Sequence, residues 1–320
     1  MHAHSPSRWP AYGALVLTTA LWGSNPSISR LLMDAVPPVA LAWSRWFVVL
    51  VAVLPLVWPE RRAIAEALRT RWKTLLLFAM LAGAPQSVVI YKGLELSSAV
   101  NLGLFNSAIP VLILVLGALF WGKRIRAQEA GGIAVSLAGV LVILFQGSLT
   151  KALALAFNFG DVILFAGMIQ WALYTLKLVD RPRALSPPAL VALIAAFGLV
   201  ACTPLLIWEG IVVHPPRLDG NTTLALVYIG LGPTLGAMLC FNYAVERVGA
   251  VRAGVLVHLM PVFASVFAVL LLGEHVHVFH AAGFALVAGG ALLALAAPSR
   301  LKVSPPIEAA PPSLPGANHG

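Results

Sequence analysis

The chain of 320 residues is 60% hydrophobic and only 10% charged, with a mean hydropathy of +0.90. A soluble domain clothes its core with about 25% charged residues, so this composition excludes a soluble fold and calls for a lipid environment. The net charge of +9 does not point to nucleic acid, because the Lys and Arg side chains flank apolar runs instead of forming a solvated patch with interleaved aromatics.

A hydrocarbon core of about 30 Å needs roughly 20 apolar residues per helix, and ten runs meet that need. Period-two alternation, the mark of a membrane barrel, is absent, so the fold class expected is an all-α integral membrane protein with ten transmembrane helices. The first run, 11–31, carries "WGSNP" and no cleavage site, so it reads as a retained span. Thr18, Trp22 and Asn25 share one face of it at i, i+4 and i+7, followed by Pro26, which frees a backbone carbonyl for a ligand or a kink. Span two, 38–58, holds Arg45 about 7 residues, or roughly 10 Å, from its outer end. It either snorkels to headgroups or offers a counter-charge to an anion. Residues 59–73, "PERRAIAEALRTRWK", read as an interfacial helix with its cations toward headgroups.

Span three, 74–94, brings Gln86 after Pro85, with Ser87 and Tyr91 at i, i+4. Span four, 99–121, contributes Asn106 and ends in "GALFWGKR". That string satisfies a phosphate-loop spacing, but Arg124 stands where magnesium needs Ser or Thr, and no strand precedes it. After span five, 130–145, span six, 159–178, offers Gln170, Trp171 and Tyr174. Spans seven, 189–208, and eight, 224–243, follow, the latter with Tyr228 and Asn242. His258 lies near the middle of span nine, 250–272, where an imidazole relays protons, binds substrate, or packs in its neutral form. Span ten is 279–296, and the tail 299–320 is proline-rich and reads as disordered. The trio His275, His277 and His280 lacks the ligand partners of a metal site, and Cys202 and Cys240 read as packing residues. No cofactor is expected.

The stretch "LELSSAVNLGLFNSAIP" at 94–110 returns as "VERVGAVRAGVLVHLMP" at 245–261, an offset of 151 residues. Gly122, Gly132 and Gly139 find mates at the same offset in Gly273, Gly283 and Gly290. The chain therefore divides into a short cytoplasmic segment (1–10), a first five-helix repeat (11–151), a second (152–298) and a cytoplasmic tail (299–320). Five is odd, so the second repeat enters the membrane inverted. With the N terminus inside, sixteen Lys and Arg fall on the cytoplasmic side and four (Arg30, Lys92, Lys151 and Arg217) outside, which favours both termini inside. The glycines of spans five and ten favour close helix contact, either between the halves or between protomers of a homodimer.

Ten spans in two halves, "LWGSNP", Arg45, a Pro in spans four and nine, and "LLLGE" (270–274) before a Gly-spaced last helix resemble the EamA family of the drug/metabolite transporter superfamily. The resemblance implies an inner-membrane carrier of small metabolites, often an exporter of amino acids or related compounds, with a central cavity between the halves. Lys123 departs from the pattern that Glu274 keeps, and span one lacks the essential Glu of the small multidrug branch. The function expected is secondary transport of a small polar metabolite, outward, by alternating access. The expected substrate-binding set is Thr18, Trp22, Asn25, Arg45, Gln86, Tyr91, Asn106, Gln170, Trp171, Tyr174, Asn242 and His258. The expected partners are the substrate and the lipid bilayer, with no nucleic acid. Multidrug or cation export is the alternative and wants a deep carboxylate. A membrane-embedded enzyme ranks lower, since no HExxH, GxSxG or Asp-rich motif occurs.

Overall fold

A computed structural model describes residues 9–32, 34–97, 99–154, 158–272 and 278–296. The N-terminal segment, the tail and the turn that carries Glu274, His275 and His277 lie outside the described residues. Among those described there is no strand. In chain order the helices are α1 (Trp9–Leu32), α2 (Pro38–Val57), α3 (Arg61–Ala82), α4 (Ala84–Leu96), α5 (Ala99–Ser107), α6 (Ile109–Trp121), α7 (Ala127–Leu144), α8 (Leu149–Leu153), α9 (Phe159–Lys177) and α10 (Pro187–Val212). They continue with α11 (Gly220–Ile229), α12 (Ala237–Val248), α13 (Ala250–Val257), α14 (Met260–Leu272) and α15 (Val278–Leu295).

Seven helices among the described residues are long and apolar enough to cross a membrane, and eight if the bent pair Asn101–Ser107 and Ile109–Trp121 makes one span. One of the seven is the run Pro38–Leu96. At 1.5 Å per residue it is far too long for a single crossing of about 30 Å, and α2 packs against α4, so the chain turns back within it. Helix α1 does not pass the same test because Thr18, Thr19, Ser24, Asn25 and Ser29 dilute it; Thr18, Thr19, Ser24 and Ser29 are buried against protein, not presented to lipid. The interfacial helix expected at 59–73 is the first part of α3, which kinks at Arg71 (φ −129°, ψ 16°) before entering the apolar layer.

Four spans are interrupted near their middles, each by local chemistry. Gly83 (φ −90°, ψ −155°) precedes Pro85 and separates α3 from α4. Ala108 precedes Pro110, and α5 and α6 meet at 41°. A π-helical turn at Gly230–Gly236, containing Pro233, joins α11 to α12. Finally His258 and Leu259 divide α13 from α14 before Pro261. A proline lacks the N–H that would continue the ladder, so each break leaves backbone groups free inside the protein. By contrast, α1 runs unbroken through Pro26.

Adding 151 to the bounds of α6 and α7 gives the bounds of α14 and α15. The packing follows the same rule: α1 packs against α12 and α14, and α9 against α4 and α6. Helices α7 and α15 form the tightest crossing. A Cβ on Gly132 would lie 2.7 Å from the carbonyl oxygen of Gly290, and one on Gly139 would lie 2.7 Å from that of Gly283. As one number rises the other falls, so these two helices run antiparallel. Of the two alternatives for these glycines, the contact between the halves within one chain is the one observed.

Helix starts are fixed by conventional caps. Asn158 and Asp161 form a reciprocal capping box at α9, while the side chains of Ser186 and Asp219 accept from Ala189 N and Thr222 N at α10 and α11. Helix α2 begins at Pro38 without a cap of its own. Its exposed donors are met instead by Glu209 of α10, a buried carboxylate that accepts from Val39 N (3.1 Å) and Ala40 N (2.9 Å) and lies 3.4 Å from Lys92 Nζ. Replacing Glu209 by alanine strands both donors and is expected to cost about 2 kcal/mol. The check is the melting temperature of the purified protein in detergent, where Glu209→Gln, which keeps one acceptor, should fall less.

Candidate functional site

A cavity of about 140 Å3 sits where the interrupted spans converge. Its walls come from α1, α2, α3, α4, α5, α6, α9, the Gly230–Gly236 turn, α12, α13 and α14. Seven of the residues expected from the sequence line it: Trp22, Asn25, Arg45, Gln86, Tyr91, Asn106 and Trp171. Apolar wall is added by Ile90, Leu102, Ile109, Met168, Met238, Val257 and Met260. Two wider clefts, lined by Lys123, Arg124, Arg126 and Arg252 and by Arg181 and Arg183, open at the end of the bundle where loops meet. The smaller central cavity is the better candidate, because it lies where the helix interruptions converge and draws polar groups from helices early and late in the chain.

Among the described residues, Arg45 is the sole charged one on the cavity wall. Its Nε donates to Thr234 Oγ1 at 2.8 Å and its Nη1 to the Tyr91 hydroxyl at 2.7 Å. Thr234 Oγ1 in turn donates to Ile229 O at 2.7 Å, so the π-helical turn holds the guanidinium's inner edge. Tyr91 lies 3.3 Å from Ser29 Oγ, which donates to Asn25 Oδ1 at 3.1 Å. Arg45, Tyr91, Ser29 and Asn25 thereby form one polar chain across three helices. Among the described residues no carboxylate forms an ion pair with Arg45.

Opposite this chain lies an aromatic wall. Trp22 meets Trp171 edge-on at 5.2 Å between centroids, and both lie against Phe241 at 5.3 and 5.4 Å. Trp22 Nε1 donates to the carbonyl of Pro233 at 3.0 Å, one of the carbonyls at the π-helical turn. Trp46 Nε1 donates to Ser87 Oγ at 3.0 Å. The indole N–H of Trp171 is buried without a partner, and the side chain of Asn106 makes no hydrogen bond among the described residues.

The other five expected residues are placed in the surrounding protein. Thr18 donates to the carbonyls of Ala14 and Ala237, tying α1 to α12. Gln170 donates to Met80 O at 3.1 Å. Tyr174 is fully buried and donates to Asn242 Oδ1 at 2.9 Å, beneath the aromatic wall. His258 lies 2.8 Å from Ser107 O and 2.7 Å from Ser136 Oγ, so both ring nitrogens are occupied by protein: Nε2–H donates to the carbonyl and Nδ1 accepts from the hydroxyl. It is 1% exposed and does not reach the cavity. Ser107 and His258 are 151 positions apart, as are Ser136 and Val287, which touch through Ser136 Oγ and Val287 O at 3.4 Å. Equivalent residues that touch each other lie where the halves meet, so His258 is a strut of that seam.

Thr234, Pro233, Trp46 and Glu209 did not emerge from the sequence. The signal for the first two was Gly-Leu-Gly-Pro-Thr inside an apolar run, where glycine and proline mark a break. Glu209 was missed because Trp208 looked like the interfacial end of its span, whereas α10 runs on to Val212.

The sequence model of the EamA-like transporter family matches residues 9–145 and 158–296. Among curated proteins, an uncharacterized transporter of Archaeoglobus fulgidus is 24% identical over 88% of this chain and 96% of its own length. A probable amino-acid metabolite efflux pump of Salmonella typhimurium is 24% identical over 86% and 91%. A protein solved by crystallography superposes with a TM-score of 0.73 over 90% of this chain and 97% of its own, at 22% identity, a likeness of fold. With the family match covering nearly the whole helical part of the chain, the protein belongs to the EamA-like transporter family.

Proposed function

We propose that the protein is a secondary carrier that exports a small polar metabolite, an amino acid or related compound, across the inner membrane by alternating access. The observation that carries this reading is the central cavity itself, set where interrupted helices converge and lined by Trp22, Asn25, Arg45, Gln86, Tyr91, Asn106 and Trp171. In this reading those seven contact substrate, while Thr18, Gln170, Tyr174, Asn242 and His258 hold the wall behind them.

Ten spans are counted when the run Pro38–Leu96 is taken as two crossings, the bent pair as one and α1 as a crossing whose polar face is covered by protein. The halves are two inverted repeats, 11–151 and 152–298. Supporting this are the matching bounds of α6 with α14 and of α7 with α15, and the antiparallel course of α7 and α15. Such halves interconvert by rocking about the seam formed by Ser107, Ser136, His258 and Val287. Reporter fusions at Pro216 and Leu301 are expected on opposite faces, the second in the cytoplasm; both outside would overturn the inverted arrangement.

Cation export is the weaker reading, because no Asp or Glu among the described residues lines the cavity. A screen of metabolites with the purified protein in proteoliposomes, with and without a proton gradient, tests the proposal. Saturable movement of at least one solute is expected, lost in Trp171→Ala at normal abundance. Failure of every metabolite class to move would refute it.

A further inference from the structure

The geometry points to a monocarboxylate without an ammonium group as the ligand of the central cavity, held by Arg45 and Asn25; this rests on the carrier reading above and narrows its solute from an amino acid to a related compound that lacks the amino group. The hydrogen-bond inventory of the wall sets the chemistry. Arg45 has five N–H donors and the protein takes two, through Thr234 and Tyr91. Asn25 spends its carbonyl oxygen on Ser29, which leaves its amide N–H groups to offer. What Arg45 and Asn25 have left to offer is therefore N–H donors, and what completes them is an oxyanion.

Charge decides between an anion and a zwitterion. A guanidinium at mid-span is costly without a counter-charge, and none is present among the described residues. A monocarboxylate brings the site to neutrality. An amino acid would add an ammonium group with no carboxylate among the described residues of the wall to receive it, only neutral side chains such as Gln86 and Asn106, and would leave the site at one net positive charge. The cleft that holds Lys123, Arg124, Arg126 and Arg252 beside the one carboxylate Glu129 comes within one helical turn of the cavity, Ile113 lining the cleft and Ile109 the cavity, so an anion meets a net positive wall on approach.

Volume limits the rest of the molecule. An apolar protein cavity of about 150 Å3 accommodates benzene, and this one measures about 140 Å3. The ligand is thus a carboxylate with a compact branched or aromatic body, seated against Trp22, Met168 and Met238.

Two skeletons test the class in equilibrium binding to the purified full-length protein: 3-methylbutanoate against 3-methylbutanamide, valine and 3-methylbutylamine, and benzoate against benzamide and benzylamine. At least one carboxylate should bind tenfold or more tighter than each of its isosteres. Arg45→Gln should erase that preference, while Arg45→Lys, which keeps the positive charge, should retain part of it. If neither carboxylate outbinds its amide, or if valine equals or exceeds 3-methylbutanoate, the inference is overturned. Binding is read without transport, so such a result leaves the carrier reading to stand or fall on the proteoliposome screen.

Discussion

Replacing Gly290 by leucine is expected to abolish accumulation of folded protein, while the same change at Gly289 leaves it near the wild-type level. The two residues are neighbours on α15 and differ only in what they face. A Cβ on Gly290 would lie 2.3 Å from Ser136 N and 2.6 Å from Gly132 O, whereas one on Gly289 meets nothing within 4 Å. The obstacles at Gly290 are backbone atoms of α7, which cannot rotate aside as a side chain would. Accommodation therefore requires α7 and α15 to separate, and the seam made by Ser136, Val287, His258 and Ser107 would open with them. Overpacking of this kind costs about 3 kcal/mol or more, a large share of a stability of roughly 5–15 kcal/mol. Yield and monodispersity on size-exclusion chromatography read the outcome. Equal loss in both variants would mean that α15 tolerates no bulk anywhere and that the crossing is not the cause.

Membrane potential alone is expected to drive export of the cavity's ligand. If Arg45 carries the only charge on the wall and the ligand is a monoanion, the loaded site is neutral and the empty site is positive. An inside-negative potential favours return of the empty positive site to the inward-facing state, so each cycle moves one negative charge outward. One charge across 100 mV corresponds to about 2.3 kcal/mol, which sustains roughly a 50-fold gradient at 1.4 kcal/mol per tenfold. Solid-supported-membrane recording provides the measurement, because leak of the uncharged acid carries no current. A jump in 3-methylbutanoate should give a transient of the sign of anion entry into the vesicle, and Arg45→Gln should give none. A wild-type current of opposite sign, or electroneutral movement of the carboxylate, contradicts this charge count.

The parts of the fold readable from sequence were those set by the solvent. Lipid requires long apolar runs, and these marked the all-helical class and the seven or eight helices among the described residues that are long and apolar enough to cross a membrane. Polar residues at mid-span were equally visible, which is why Trp22, Asn25, Arg45 and Trp171 stood out before any coordinates. Periodicity could not say which polar residues face a cavity and which face another helix. Tyr174 and Asn242 satisfy each other, and His258 is held by Ser107 and Ser136, pairings that only tertiary structure creates. Thr234 stayed hidden because a threonine in a membrane helix ordinarily bonds its own backbone. Here it does so and also receives Arg45.

The central claim is that one cavity, shared by two halves, opens alternately to each side of the membrane. The direct measurement uses Asn106→Cys, on the cavity wall, in a background with Cys202→Ala and Cys240→Ala. A membrane-impermeant anionic thiosulfonate is applied to right-side-out and to inside-out vesicles in separate experiments. Alternating access predicts modification of the same cysteine from both faces, slowed from each by a ligand that fills the cavity. Modification from one face only, under every ligand and potential applied, would contradict it.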